Sequence, residues 1–128
     1  MNPIVTLSAA VSGFAAVALG AFGAHALKST LAAPEFAVWQ TAVHYQMFHT
    51  AALLALGLMP AAGETRALRL AAWCLGGGIL IFSGSLYLLA VTGRTWLGAI
   101  TPVGGLMFLI GWGALACHAA RCGRKSQP

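Results

Sequence analysis

Four runs of this chain, residues 1–27, 36–63, 70–93 and 95–120, contain no aspartate, glutamate, lysine or arginine. Crossing the hydrocarbon core of a bilayer takes about 20 helical residues at about 1.5 Å rise each. Each run is long enough to cross once and too short to cross twice. Composition closes off the soluble alternative. The 128 residues are 59% hydrophobic and 7% charged, and a soluble domain of this size cannot cover its surface with so few ionisable side chains. The expected architecture is an all-α membrane protein: one domain, 1–128, built as a four-transmembrane-helix bundle with spans near 3–26, 36–59, 66–91 and 102–119.

The charges that remain lie between the runs. With four crossings, the amino terminus, the 61–69 segment and the carboxyl tail share one side, which carries Arg66, Arg69, Arg121, Arg124 and Lys125. The opposite side carries Lys28 and Arg94. Short loops rich in Lys and Arg stay in the cytoplasm, so both termini are expected there. The basic pI of 9.7 thus reads as a topology signal, and no nucleic-acid partner is expected. The first run has no basic segment before it and is longer than the apolar core of a signal peptide, so it reads as a retained helix. The cysteines Cys74, Cys117 and Cys122 fall toward the cytoplasmic side, where no disulfide is expected.

Small residues recur along the first helix at steps of three and four: Ala9, Gly13, Ala16, Gly20 and Gly23. Such a stripe lets helix backbones approach in lipid, where apolar burial supplies no drive between helices. Gly77 in the third helix and Gly104 and Gly105 in the fourth are read the same way. Thr101-Pro102 reads as the cap and first turn of helix four. Pro60-Ala61-Ala62-Gly63 reads as an inner turn. Trp39, Trp73 and Trp96 fall near helix ends, as an interfacial aromatic belt requires, whereas Trp112 lies deeper and reads as packing.

The second helix carries the chemistry. Thr41, Tyr45 and His49 are spaced four apart and share a helical face, with Gln46 three residues before His49. His44 lies about 140° round the helix from His49, so the two do not converge. A buried imidazole needs a partner, because an unpaired polar group in hydrocarbon costs several kcal/mol. His25 at the end of helix one, Tyr87 near the outer end of helix three and Thr101 at the start of helix four fall toward the same outer side. Together His25, Thr41, Tyr45, Gln46, His49, Tyr87 and Thr101 are expected to meet in one buried polar cluster. Its chemistry admits hydrogen-bonded glue between helices. It also admits a lipid-headgroup, quinone or small-molecule site, haem or metal ligation by His25 and His49, or a proton relay, which the lack of a buried acid disfavours. No zinc-protease motif, phosphate-binding loop, acid pair or nucleophile elbow is present, so no catalytic residue, metal or cofactor is assigned.

The ordered set Gly20-Ala21-Phe22-Gly23-Ala24-His25, Trp39-x-Thr41-Ala42-Val43-x-Tyr45-Gln46-x-x-His49, Thr92-Gly93, Thr101-Pro102-x-Gly104-Gly105 and Leu109-x-Gly111-Trp112 resembles the domain-of-unknown-function 423 family. Its members are small membrane proteins, with an animal relative called transmembrane protein 256. The resemblance covers nearly the whole chain and implies a four-span bacterial inner-membrane protein. It implies hallmark positions at His25, Tyr45, Gln46, His49, Thr101, Pro102 and Trp112, and supplies no mechanism. The expected role is a non-enzymatic accessory or association subunit, with membrane lipids and a membrane-protein partner or second copy as its contacts. A lipid, quinone or small-molecule binding protein is the alternative, and a haem-carrying redox subunit the third reading.

Overall fold

The computed structural model describes residues 1–60 and 65–125. The expected inner turn therefore lies, apart from Pro60, outside the described residues. Among those described, four helices carry nearly all of the chain and no strand occurs. Helix α1 runs Pro3–Leu27, α3 runs Arg66–Thr92, α2 is Ala33–Leu58 and α4 is Leu97–Lys125. Three of them, α1, α3 and α4 as far as Gly123, are long and apolar enough to cross a membrane. Helix α2 is as long but carries Gln40, His44, Gln46 and His49, which lower its apolarity.

The helix starts follow from local chemistry. Asn2 accepts the Val5 N–H through its side chain ahead of Pro3, and Thr65 accepts the Leu68 N–H ahead of Arg66. Each supplies a partner for an N–H that the first turn would leave free. Gly93, at φ +65°, ends α3 in a left-handed conformation suited to glycine. Helix α4 begins at Leu97, five residues before the expected Pro102, so Thr101 is inside the helix rather than its cap. Pro102 has no N–H to return to the preceding turn. The Thr101 hydroxyl, beside it, donates to the Leu97 carbonyl at 3.2 Å, a bond made within the helix.

The helices are arranged in a folded row. Helix α1 packs against α2, α2 against α3, and α3 against α4. Leu53, Leu75, Ile79 and Phe108 fill the core near the end where the chain begins, and Trp39, Val43 and Ala90 fill it near the other end. The exterior is the apolar side of the molecule. Phe14, Trp73 and Leu80 are 80%, 78% and 77% exposed, while, Leu75 apart, the most deeply buried side chains are small or polar, including Ala42, Ala71 and Ser83. That inversion suits a chain whose solvent is lipid.

Glycines set the spacing. A Cβ on Gly13 would sit 3.6 Å from Thr50 and one on Gly20 3.4 Å from Val43, so both face α2. One on Gly23 would overlap the Trp39 indole. Trp39 is not part of an interfacial belt. It is buried and donates its indole N–H to the Leu19 carbonyl at 3.1 Å. That carbonyl also receives the Gly23 N–H, and α1 continues from there as a π-helical turn at Gly23–Leu27. Between α3 and α4, a Cβ on Gly77 would meet Met107, one on Gly104 the backbone of Phe82, and one on Gly105 would lie 3.8 Å from the Phe82 ring.

Candidate functional site

The seven polar residues of the expected cluster take up four separate situations. Gln46 and Tyr87 are joined. The Tyr87 hydroxyl donates to Gln46 Oε1 at 2.7 Å, and Gln46 Nε2 donates to the Ser12 carbonyl at 3.0 Å. A carbonyl can only accept, so the amide's orientation follows from the network. The Ser12 and Thr50 hydroxyls share a hydrogen bond of 2.6 Å. One continuous network thus ties α1, α2 and α3 together near mid-length. Ser12 and Thr50 were not singled out in the sequence. Their signal is spacing: Thr50 follows Gln46 by one turn, and Ser12 interrupts the small-residue stripe beside Gly13.

His49 lies on the other side of α2. It is 5% exposed, and its Nδ1–H donates to the Tyr45 carbonyl at 2.8 Å. Its ring stacks on Phe108 of α4, with centroids 3.5 Å apart and planes 9° from parallel. Tyr45, half-exposed, stacks on Phe82 of α3 at 4.4 Å, and Phe48 and Trp112 flank the group with centroids 5.7 Å apart. This aromatic layer carries the contact between α2 and α4. The bond to Tyr45 fixes the proton on Nδ1 and leaves Nε2 as an acceptor, with no hydrogen bond among the described residues.

Thr101 belongs to a third pairing, sharing a 2.8 Å hydrogen bond with Ser85 between α4 and α3. Ser83 donates separately to the Ala42 carbonyl at 2.8 Å. His25 and Thr41 are exposed, and Thr41 is bonded to the Ala37 carbonyl of its own helix. A single buried cluster of seven is therefore not formed.

Joint haem or metal ligation by His25 and His49 also fails on distance. Gly13 faces Thr50, which sets His49 at the level of residues 13–14, and His25 is then about 17 Å further along the helix axis. Among the described residues no three histidine, cysteine, aspartate or glutamate side chains converge.

The profile of the DUF423 family, described as protein of unknown function, matches residues 19–105, which include Trp39, Tyr45, Gln46, His49, Tyr87 and Thr101. The chain belongs to the DUF423 family. It is 47% identical over 116 residues to a UPF0382 membrane protein of Haemophilus influenzae, covering 90% of this chain and 91% of the relative. It is 43% identical over 123 residues to the UPF0382 inner membrane protein YgdD of Escherichia coli K12, covering 91% and 89%. A UPF0382 membrane protein of Staphylococcus saprophyticus is 45% identical over 103 residues, covering 80% and 85%. No solved structure matches the chain. Family membership and the apolar helices agree on an integral membrane protein.

Proposed function

We propose that this DUF423 protein spans the bacterial inner membrane four times with both ends in the cytoplasm. It acts without catalysis, by association with another membrane protein or with a second copy. The fourth crossing is supported by pairing: α2 lies along α1 from the Trp39–Leu19 bond to a 2.8 Å bond from the Asn2 N–H to the Gly57 carbonyl. A helix attached to a membrane-spanning partner over that length crosses with it. The orientation rests on the Arg66, Arg69 and Arg121 side against Lys28 and Arg94, and the inner membrane on the name of the E. coli relative. Reporter fusions at the two termini test the topology, and an extracytoplasmic terminus overturns it.

The observation that carries association is His44. It stands exposed near the midpoint of α2, one turn after exposed Gln40, with no hydrogen bond among the described residues. An imidazole turned toward acyl chains is costly, and a neighbouring protein's polar group would remove that cost. Native mass spectrometry of protein extracted gently from its own membrane, with an absorption spectrum of the same sample, is the test. A second polypeptide or a stable homo-oligomer, weakened by His44→Leu, is expected; a bare monomer overturns the reading.

A small-molecule reading has its own observation. His49 Nε2, an unpaired acceptor beside half-exposed Tyr45 and exposed Trp112, suits a hydroxyl-bearing aromatic such as a quinol. A retained molecule lost in His49→Ala would favour it, and a haem would appear in the same spectrum.

A further inference from the structure

Helices α1 and α3 are held apart differently in their two halves. Toward the Lys28 end, Leu19, Trp39 and Tyr87 fill the space between them. Toward the Arg69 end, Ser8, Ser12 and Ala15 on α1 face Ala72 and Gly76 on α3. These side chains are too small to close the gap, and a groove of about 690 Å³ is left open along the side of the protein. Its floor is Leu53 and Gln46. Gln46 already donates to Ser12 and accepts from Tyr87, so the floor offers no unpaired group to a polar ligand. Arg69 stands at its mouth, exposed, its guanidinium with no ion pair or hydrogen bond among the described residues. Trp73, one turn further in, flanks it as interfacial tryptophans do.

We propose that this groove holds an acyl chain of one anionic phospholipid, with the lipid's phosphate paired to Arg69. Length selects this occupant. From Asn2 to Ala15 the groove runs about 20 Å, one leaflet of hydrocarbon at about 15 Å plus the headgroup layer. A partner's transmembrane helix needs the full thickness of about 30 Å and would meet the Trp39–Tyr87 layer half-way. Charge selects the headgroup. Arg66, three residues before Arg69, adds to a basic mouth, and guanidinium pairs with phosphate through two parallel hydrogen bonds. The proposal is independent of the association argued from His44, which lies on another face of α2.

The test is native mass spectrometry of the full chain, stripped of lipid in mild detergent and titrated with phosphatidylglycerol or phosphatidylcholine of matched chains. One phosphatidylglycerol per chain is expected, bound about fivefold tighter than phosphatidylcholine, the weight of one basic residue at an anionic surface. Arg69→Gln should bring that ratio to about one, and Arg69→Lys should keep it above one. Filling the groove with Ser8→Phe and Gly76→Leu should abolish retention of both lipids. A Cβ at Gly76 meets Leu53 only at 3.8 Å and Ser8 is exposed, so unchanged helicity and elution are required of that variant, with Ser8→Phe alone as the milder filling. Equal binding of the two lipids by the unaltered protein, an undiminished preference in Arg69→Gln, or undiminished lipid retention by folded groove-filled protein overturns the proposal. So does a second chain, in place of lipid, that stays bound in His44→Leu and is lost from folded groove-filled protein.

Discussion

Tyr87 on α3 donates its hydroxyl to Gln46 Oε1 on α2 at 2.7 Å, and the other end of the same amide holds the Ser12 carbonyl of α1. One side chain thus joins three helices. Tyr87→Phe removes one donor and leaves Oε1 unpaired, at a cost of about 1 kcal/mol, while Gln46→Ala breaks both contacts and costs more. Reversible unfolding in a mixed lipid–detergent system reads both. The ordering is the sharper part: a Tyr87→Phe loss equal to that of Gln46→Ala would show that the Ser12 contact contributes nothing.

Gly57 and Gly84 make a matched pair. A Cβ on Gly57 would lie 2.7 Å from the Thr6 backbone nitrogen, whereas one on Gly84 would meet nothing within 4 Å. Gly57→Ala must push α1 away from α2 and is expected to cost about 1–3 kcal/mol. Gly84→Ala adds a better helix former in open space and should be neutral or stabilising by up to about 1 kcal/mol. The same unfolding assay compares them, and similar losses for both would remove close approach as the explanation.

The helical segments themselves were legible in the sequence, because lipid allows no charged interruption and the runs end where lysine, arginine and glutamate appear. Facing was legible only in part. Helical spacing shows that Gly13, Gly20 and Gly23 share a face and that Tyr45 and His49 share another, but not which neighbour meets each. Gln46 therefore went with His49 in the expected cluster, although the two point to different sides of α2: one to Ser12 and Tyr87, the other to Phe108. Thr101-Pro102 carries a strong helix-start pattern, and the tertiary contact with Ser85 together with the Leu97 carbonyl keeps it inside a helix instead. Trp39 near a helix end looks the same whether it faces lipid or a neighbouring backbone. Only Gly23, placed to let the indole in, distinguishes the two.

That last pairing predicts coupling. Gly23→Ala should be destabilising in the natural background, because the new methyl meets the Trp39 ring. In a Trp39→Val background the ring is gone, and the further loss from Gly23→Ala should fall to less than half. A double-mutant cycle on unfolding free energies isolates the pair, with about 0.5–3 kcal/mol of interaction expected for residues in contact. Strict additivity would mean that the close approach of Gly23 to the indole carries no energetic weight.

His49 separates packing from binding. Its ring lies flat on Phe108 at 3.5 Å and is bordered by Tyr45, Phe48 and Trp112, so an aromatic of similar size preserves most of its contacts. His49→Phe gives up the hydrogen bond to the Tyr45 carbonyl, an acceptor within the helical backbone, and should cost less than about 1.5 kcal/mol. His49→Ala opens a cavity between α2 and α4 and should cost about 2–4 kcal/mol. If the role of the imidazole is the stack alone, His49→Phe restores every property that His49→Ala loses, including any co-purifying polypeptide. If Nε2 accepts a bond from a bound molecule, the phenylalanine variant stays folded and still loses that molecule. Measuring stability and bound mass on the same two variants tells these apart.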